Sequence, residues 1–313
     1  MPLNVLMTGN VPEAGLRGLR EAHPDIDFRY FDDVADLEAH IEEADVVAGE
    51  ISEAAFRRAT RLRWQHSWAA GVDRSLFPSM VDSDIPFTCS KGNGAVPLAE
   101  HALLLMLMLT GGAVGLLDAQ RAHSWAHFRH RELYGQSVGL VGLGNSGLHL
   151  ARVARALGMR TLGFRRSDRP SPDVDEMFSA ATFKRFLGES DFVVVTAPIT
   201  AATHHLFDED AFRAMKPSAF WICVSRGGIA DDDALLRAVR EGWIAGAGID
   251  AHEIEPLPAD SPFWDEPNVI VTPHNGAASP MTSVRGFRIF EENLGHFLAG
   301  EPLVNVVDKR EGY

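Results

Sequence analysis

The chain is poor in cysteine, in lysine and in long hydrophobic runs. Among its 313 residues the two cysteines, Cys89 and Cys223, lie far apart and form no Cys-x-x-Cys pair, which argues against a disulfide framework or a zinc site. The most apolar run, residues 102–109, has less than half of the roughly 20 residues that a transmembrane helix needs. The N-terminus lacks a basic segment and a cleavage site, so we interpret it as a strand rather than a signal peptide and expect a cytoplasmic protein.

Positive charge is also scarce. The formal net charge is −14, and lysine occurs at only four positions. Because no broad basic face is available, we expect neither a nucleic-acid partner nor an anionic membrane partner. A local basic site remains possible where two arginines, Arg165 and Arg166, are adjacent. A hydrophobic fraction of 46% and a charged fraction of 23% are ordinary for a globular protein, and the length allows two domains.

Short apolar runs alternate with helical patterns along most of the chain, which is typical of parallel sheets buried on both faces. The pattern breaks at residues 90–101, "SKGNGAVPLAEH", and a long apolar helix is predicted over about 97–110. The predicted strands before the break are 3–9, 26–32, 44–50 and 62–67, and those after it are 137–144, 160–165, 191–198, 219–225, 244–250 and 268–274.

Two series of strands predict two sheets. A last helix, about 279–298, follows the flexible-looking "NGAAS" and is expected to return to the first sheet. We therefore predict an α/β protein with two Rossmann-like, doubly wound parallel-sheet domains joined by a two-segment hinge. The predicted boundaries are residues 1–94 with 282–313 for a substrate (catalytic) domain and residues 95–281 for a dinucleotide-binding domain.

A glycine-rich turn, "GLGNSG" at residues 142–147, stands between a predicted strand and a predicted helix. Gly142, Gly144 and Gly147 fit the three roles of a dinucleotide loop: a tight turn, close approach of the backbone to a pyrophosphate, and helix–strand packing. The helix N-terminus would then offer free N–H groups to the anion. Because strand, loop, helix and second strand occur in the right order, the motif strongly indicates dinucleotide binding.

The second strand of this unit ends in "RRSD" instead of the acidic residue that usually holds a ribose hydroxyl. An acid at Arg165 would repel a 2′-phosphate, whereas arginine offers it several donors. Arg165, Arg166 and Ser167 are therefore predicted to bind the 2′-phosphate of NADP(H), although NAD(H) remains possible. The alternative is a solvated pair of surface arginines.

Three later strands end in residues of the types that hydride transfer to a ketone requires. The carboxyl ends of the strands converge on the edge of such a sheet where ligands bind. "CVSRGG" contains Arg226, which suits polarisation of a carbonyl and binding of a carboxylate. "VTPHNGAAS" contains His274, a proton donor near neutral pH. "GIDAHEIEPLP" contains Asp250 and Glu255, which supply a carboxylate to orient the imidazole.

These motifs, with "SRGGIADDDAL", make the chain resemble the D-isomer-specific 2-hydroxyacid dehydrogenases over nearly its whole length, and glyoxylate/hydroxypyruvate reductases in particular. The resemblance implies that Arg226 binds the substrate, that Glu255 is the partner acid and that His274 is the general acid/base. It also implies a substrate-binding loop, "AAGVD", whose N–H groups near Ala70, Gly71 and Val72 hold the substrate carboxylate. Arg226 and His274 complete the implied substrate site.

The resemblance implies an NADP(H)-dependent reductase that converts a small 2-oxoacid to the D-2-hydroxyacid, forms a homodimer and uses no metal. It also places further residues along the cofactor. The cofactor set comprises Gly142, Gly144, Asn145, Ser146, Gly147, Arg165, Arg166, Ser167, Thr196, Pro198, Thr203, Cys223, Val224, Ser225, Asp250, His274 and Gly276.

Two positions depart from the family pattern: Cys223 stands where asparagine is common, and Arg165 where NAD-using members carry aspartate. The rival hypotheses are a phosphite-type dehydrogenase and a dinucleotide-sensing binding protein of the same fold without turnover. Glu255 argues against formate oxidation, because the formate enzymes pair their histidine with glutamine.

Two other features carry alternatives. His123, His127 and His130 have the spacing of one helical face, but no acidic residue or cysteine joins them, and we expect no metal there. The apolar helix at 97–110 fits either a core helix or a dimer face, and the family resemblance favours the dimer face.

Overall fold

The computed structural model describes residues 2–166 and 170–312. The chain divides into two compact units, one formed by Met1–Gly94 with Ser279–Tyr313 and the other by Ala95–Ala278. The chain therefore passes between the units twice, once after Gly94 and once before Ser279.

The first unit contains a five-stranded sheet in which all neighbouring strands are parallel. Its strand order, β2-β1-β3-β4-β5, reverses direction between β1 and β3, as in flavodoxin-like folds. The strands are β1 (Leu3–Thr8), β2 (Ile26–Phe31), β3 (Val46–Ala48), β4 (Trp64–Ser67) and β5 (Phe87–Cys89).

Helices cover both faces of this sheet. Successive strand residues point to opposite faces and therefore pack in two separate cores. Leu6 and Val47 pack in one core, and Val5 and Met7 pack in the other. The last helix joins the second of these cores through Phe290 and its neighbours. The helices of the unit are α1 (Glu13–Ala22), α2 (Val34–Ala39), α3 (Glu53–Arg58), α4 (Pro78–Val81) and α11 (Pro280–Ala299).

The second unit contains a seven-stranded parallel sheet in the order β12-β11-β10-β9-β6-β7-β8. The strand order reverses between β6 and β9, and ligands bind at such a switch point in open α/β sheets. The strands are β6 (Ser137–Val141), β7 (Arg160–Phe164), β8 (Glu176–Phe178), β9 (Phe192–Val195), β10 (Phe220–Cys223), β11 (Gly246–Ile249) and β12 (Val269–Val271).

Successive residues of these strands again point to opposite faces of the sheet and pack in two separate cores. Val193 and Trp221 face one core, while Val194 and Ile222 face the other. The helices of the unit are α5 (Ala95–Gly111), α6 (Ala113–Arg121), α7 (Asn145–Ala156), α8 (Phe183–Glu189), α9 (Glu209–Ala214) and α10 (Asp232–Arg240). The predicted fold class, an α/β protein with two parallel sheets, is confirmed.

The sequence patterns missed the short strands β5 and β8, which have three residues each and are too brief to show a period. They also suggested a helical face for His123, His127 and His130, but α6 ends at Arg121 and no helix follows it before α7 in the described chain. The helical spacing of these histidines therefore has no structural counterpart.

No single helix among residues 2–166 and 170–312 has both the length and the apolar composition to cross a membrane. The consecutive helices α5 and α6 meet these criteria only when they are taken together, and they are bent by 65° relative to each other.

A buried histidine joins β4 to β5 in the first unit. His66 is fully buried, and its Nδ1 and Nε2 lie 2.8 Å and 3.1 Å from the hydroxyls of Thr88 and Ser90. Trp64 Nε1 donates to the Thr88 hydroxyl at 2.8 Å, so that hydroxyl has its own proton to give to His66 Nδ1. The arrangement therefore favours neutral His66 with its proton on Nε2, and burial lowers the pKa of His66 to about 3.

We predict that His66 makes the protein less stable in acid. The unfolded chain takes up a proton at this residue near pH 6.5, whereas the folded chain takes it up only near pH 3. The contribution of neutral His66 to the free energy of unfolding is thus fully present above pH 6.5. It is lost as the pH falls towards 3, by up to about 1.4 kcal/mol per pH unit. Urea unfolding between pH 4 and 7 measures this slope.

The variant His66→Gln should show a shallower loss of stability in this range, because it removes the titrating group. The matched control is His23→Gln, which replaces a partly exposed histidine of the same unit. Equal slopes for His66→Gln and the wild type would contradict the prediction.

Candidate active site

The glycine-rich turn of the second unit connects β6 to α7, and its three predicted glycines lie in different surroundings. Gly142 has a φ of 99°, and a Cβ on it would lie 2.6 Å from the backbone nitrogen of Ala197. A Cβ on Gly147 would lie 2.2 Å from the carbonyl oxygen of Gly142. A Cβ on Gly144 would meet no atom within 4 Å, so open space lies beside this backbone. Tight turn, close packing and an open approach are the features that a dinucleotide loop requires.

The residues that follow the turn place amide groups at the helix N-terminus. Gly144 is the N-cap of α7, and no side chain caps this end. Asn145 and Ser146 are the first two residues of the helix. Their N–H groups lie among the first four of the helix, which have no partner within it. This terminus thus combines free donors with the positive end of the helix dipole, and it suits a phosphate group.

The segment after β9 supports the same turn. The Thr196 hydroxyl donates to the carbonyl of Gly142 at 2.8 Å. The Thr203 hydroxyl donates to the carbonyl of Pro198 at 2.8 Å and accepts from the amide of Thr200 at 2.7 Å. Thr196 therefore fixes the shape of the glycine loop, while Thr203 closes a turn beside it that leaves Pro198 exposed.

The two adjacent arginines follow the last residue of β7, Phe164. Arg165 is half-buried and Arg166 is exposed. Ser167, the third member of the predicted 2′-phosphate site, lies outside the described residues. Both arginines thus lie at the carboxyl end of the strand next to β6, where the sequence pattern placed them.

The end of β10 holds Cys223 in the interior. The Cys223 thiol is fully buried and donates to the carbonyl of Arg226 at 3.3 Å, and burial raises the pKa of this thiol. It is therefore a hydrogen-bond donor that shapes the turn rather than a nucleophile. Val224 is also buried, whereas Ser225 and Arg226 are half-buried. Arg226 donates from Nη1 to the carbonyl of Ser225 at 2.8 Å.

The structure brings together the predicted histidine and its carboxylate. His274 Nδ1 lies 2.8 Å from Glu255 Oε1 and 2.9 Å from Oε2, so both carboxylate oxygens face one ring nitrogen. His274 has a φ of 49° and its side chain is 39% exposed, which leaves the ring accessible. Because Glu255 engages Nδ1, the nitrogen available for exchange with a bound molecule is Nε2.

Three influences set the charge of Glu255. Partial burial raises its pKa, but the hydrogen bond with His274 and a second one from the amide of His252, at 3.0 Å, outweigh burial. The net result is a pKa of Glu255 below its usual value. Glu255 is therefore ionised at neutral pH and holds the imidazole beside it in one orientation.

Asp250 forms the centre of a buried network beneath the same edge. Its carboxylate is fully buried and accepts from the Thr272 hydroxyl at 2.6 Å and from the amides of Asn275 and Gly276 at 3.0 Å and 2.9 Å. His101 Nε2 lies 3.3 Å from the same carboxylate. Burial raises the pKa of Asp250, but these donors together hold it well below its ordinary value. Asp250 is thus a buried anion that fixes the loop next to His274.

Close packing of glycine residues completes the edge. A Cβ on Gly227 would lie 2.1 Å from the backbone carbonyl of His252, so only glycine allows the loop after β10 to contact the loop after β11. A Cβ on Gly276 would lie 2.8 Å from Asp250 Oδ2. Sequence analysis identified Gly276 but missed Gly227, His101, His252 and Thr272, because their partners are distant in the sequence.

The predicted substrate loop belongs to the first unit, where it follows β4. Ala70 is exposed, Gly71 is half-buried and Val72 is buried. The amide of Ser90 donates to the carbonyls of Ser67 and Ala69, which fixes the start of the loop.

The glycine turn at a topological switch point and the ionised Glu255 beneath an accessible imidazole define a dinucleotide-dependent oxidoreductase of the two-sheet α/β class. The D-isomer specific 2-hydroxyacid dehydrogenase NAD-binding domain family matches residues 103–276. The chain therefore belongs to the D-isomer specific 2-hydroxyacid dehydrogenase family, as the sequence motifs predicted.

Individual relatives agree with this assignment over the full chain. A glyoxylate reductase of Korarchaeum cryptofilum is 30% identical over 325 aligned residues, which cover 99% of this chain and 97% of that protein. A solved family member from Aeromonas salmonicida is 30% identical, with a TM-score of 0.90 and coverage of 99% and 100% of the two chains. An NADPH-dependent glyoxylate/hydroxypyruvate reductase from Sinorhizobium meliloti, solved in complex with NADP and sulfate, is 29% identical, with a TM-score of 0.86 and the same coverage.

We predict that Asp250→Asn destabilises the second unit by roughly 2 to 4 kcal/mol. The substitution places an amide NH₂ against donors that the carboxylate now satisfies, which leaves buried polar groups unpaired. Thermal unfolding measures the loss, and hydrogen exchange of the Asn275 and Gly276 amides should increase. Asp260→Asn, at an exposed aspartate of the following loop, is the control. Equal melting of Asp250→Asn and wild type would refute the structural role.

Proposed function

We propose that the protein is an NADP(H)-dependent reductase that converts a small 2-oxoacid to the D-2-hydroxyacid. The observation that carries this proposal is the bidentate contact of Glu255 with His274 Nδ1, because it orients an accessible Nε2 for proton transfer. Relatives named glyoxylate reductase and glyoxylate/hydroxypyruvate reductase support the substrate class. The proposed substrate domain is residues 1–94 with 282–313, and the proposed dinucleotide-binding domain is residues 95–281.

The residues of the second unit fit a dinucleotide. Open space beside Gly144, the uncapped N-terminus of α7 and the packed turn at Gly142 and Gly147 suit a pyrophosphate. Asn145 and Ser146 would contribute N–H groups to it. The remaining proposed contacts follow the strand ends along the same edge: Thr196, Pro198, Thr203, Cys223, Val224, Ser225, Asp250, His274 and Gly276. When bound, the reduced nicotinamide supplies the hydride.

His274 supplies the proton in this proposal. With Nδ1 held by Glu255, the imidazolium donates from Nε2 to the oxygen of the 2-oxo group as that oxygen gains negative charge. Ionised Glu255 fixes the ring orientation throughout the transfer. In the oxidative direction the neutral imidazole accepts the same proton, so one residue serves as acid and as base.

Arg226 holds the substrate. Its guanidinium offers several donors in one plane, which suits a carboxylate and an adjacent carbonyl oxygen at the same time. It also stabilises negative charge that develops on the carbonyl oxygen during reduction. We propose that the amides of Ala70, Gly71 and Val72 contact the substrate carboxylate.

We propose in addition that the protein forms a homodimer through α5 and α6. Leu104 and Leu107 on α5 are 48% and 49% exposed, and Leu116 and Leu117 on α6 are each 46% exposed. Exposed leucines on two consecutive helices suit an isologous contact with a second copy.

The experiment that tests the function follows NADPH consumption with glyoxylate, hydroxypyruvate, a branched 2-oxoacid and phenylpyruvate. Turnover with at least one of these acids, giving the D-hydroxyacid, is expected. His274→Ala and Arg226→Ala should each lower kcat/KM by about 10² to 10⁴, because one removes the proton donor and the other the carbonyl-binding cation. NADPH binding, measured by fluorescence, should remain close to that of the wild type.

The matched control is His127→Ala, which replaces an exposed histidine in the segment after α6. Glu255→Gln should lower kcat, because the carboxylate that orients the imidazole for proton transfer is gone. Full activity of His274→Ala would refute the catalytic role. Binding of NADPH without turnover on any acid would instead support a dinucleotide-sensing protein. Formation of NADPH from NADP⁺ and phosphite, with no turnover on the 2-oxoacids, would support the phosphite-type alternative.

The cofactor preference is assigned to Arg165, Arg166 and Ser167, with NADP(H) favoured over NAD(H). Structures of relatives in complex with NADP support this preference. Replacement of both arginines by alanine should raise the Kd for NADPH by roughly 10- to 100-fold, as expected for lost charge-assisted hydrogen bonds. The Kd for NADH should change little, because NADH carries no 2′-phosphate.

The control for this measurement is Arg121→Ala, an exposed arginine on α6 that pairs with Asp118. Equal weakening of NADPH and NADH binding in the double variant would show that the arginines act on the fold or on the shared pyrophosphate. No change in either Kd would indicate that they are solvated surface residues.

A further inference from the structure

Three loops of the second unit bring two histidines and a glutamate together outside the proposed active site. His204 and His205 follow β9, and Glu253 follows β11. One side-chain nitrogen or oxygen of each residue lies within 4.8 Å of the others. His205 Nε2 and Glu253 Oε1 are 3.8 Å apart. This is the one such group of three among residues 2–166 and 170–312.

The backbone holds these loops in a fixed arrangement. The amide of His205 donates to the carbonyl of Gly228 at 2.8 Å, and the amide of His204 donates to that of Thr200 at 2.9 Å. Gly227, next to Gly228, packs directly against the backbone between His252 and Glu253. The loop after β10 therefore connects the two histidines to the glutamate. The strands that precede these loops, β9, β10 and β11, are neighbours in the sheet, which explains why the loops meet.

His205 has an unsatisfied ring nitrogen. Its Nε2 is shielded from solvent and has no hydrogen-bond partner among the described residues. Shielding a polar atom without a partner costs free energy, so such an atom calls for an explanation. His205 also has a φ of 48°, in the left-handed region of backbone conformation. A ligand that accepts the lone pair of Nε2 would satisfy this atom.

The charges nearby favour a cation. The rings of His204 and His205 stack at 4.0 Å, so two imidazoles lie side by side next to the carboxylate of Glu253. Glu253, Asp231 and Asp233 all act electrostatically on Asp232, and His205 opposes them. The cluster therefore combines imidazole nitrogens with an excess of nearby carboxylates, which is the donor set of a metal site.

We propose that His204, His205 and Glu253 bind a divalent transition-metal ion, with Zn²⁺ as the ion whose preferences they match. Two imidazoles and one carboxylate with a water in the fourth position give the tetrahedral coordination that Zn²⁺ adopts. In a tetrahedral site with metal–ligand bonds of about 2.0–2.1 Å, the ligand atoms lie about 3.4 Å apart. The donor atoms lie within 4.8 Å of one another, so binding requires the partly exposed side chains of His205 and Glu253 to rotate towards the ion.

The proposed site is separate from the proton-transfer pair but shares a loop with it. Glu255 lies two residues after Glu253 and is engaged by His274. A bound ion would join the loops after β9 and β11 and would restrain the segment that carries Glu255. Its role is therefore structural or regulatory, with no contact to the substrate required, and the proposal does not depend on the proposed function.

The test uses the full-length protein after treatment with a chelator, followed by titration calorimetry with Zn²⁺. One ion per chain is expected, with a rise in Tm because the ion binds the folded state. Co²⁺ should give the visible absorption bands of a tetrahedral site, and Mg²⁺ should give no binding, since it prefers octahedral oxygen ligands. Absence of Zn²⁺ binding at millimolar concentration would overturn the proposal.

Variants locate the ion. His205→Asn keeps a residue that tolerates a positive φ and removes the imidazole, while Glu253→Gln removes the charge with little change in shape. Each should weaken Zn²⁺ binding by at least roughly tenfold, that is about 1.4 kcal/mol. The control combines His123→Gln, His127→Gln and His130→Gln and should bind Zn²⁺ as the wild type does.

The outcomes of this series are distinct. Normal Zn²⁺ binding by both His205→Asn and Glu253→Gln would overturn the proposal, and loss of binding in the triple control would place the ion in the segment after α6 instead. Circular dichroism and the Tm without metal establish that each variant is folded. If His205→Asn fails to fold, Glu253→Gln and His204→Gln decide the question.

Discussion

The buried carboxylate of Asp250 is the interaction on which the proposed active site depends. An anion without solvent contact is costly unless donors surround it, and here Thr272, His101 and two backbone amides do so. The amides belong to Asn275 and Gly276, directly after His274. The charge is therefore stabilised by the same contacts that fix the position of the histidine, and the loop cannot rearrange without exposing or orphaning the carboxylate.

Two carboxylates from one loop thus have different tasks because their surroundings differ. Asp250 is enclosed and saturated with donors, so it serves as a structural anion. Glu255 is partly exposed and meets His274 with both oxygens, which makes it an electrostatic partner of the imidazole. The close packing of Gly227 against this loop adds a third constraint, since it sets the separation between the β10 and β11 edges. The packing beneath this edge therefore fixes the positions of the residues that are proposed to transfer the proton.

The proposed metal site illustrates what sequence spacing cannot reveal. His123, His127 and His130 have helical spacing, yet their segment forms no helix in the described chain. The two histidines of the proposed metal site are adjacent in sequence, and their partner Glu253 is about fifty residues away. Parallel strand order brings the three loops together, and that order is decided by which strands pair. A local pattern contains no information on such pairing, so the site could only be found from the structure.

By itself the sequence determined the two-sheet α/β class, the glycine turn, the arginines after β7 and the pairing of His274 with an acid, because each is encoded in local periodicity or in a compact motif. Spacing alone did not determine which acid contacts His274. The sequence also did not determine the partners of Asp250 or the neutral form of His66 between Thr88 and Ser90. Those depend on tertiary structure, since burial, tautomer and charge are set by atoms that are distant along the chain. The short strands β5 and β8 also depend on tertiary structure, because three residues become a strand only when a neighbouring strand pairs with them.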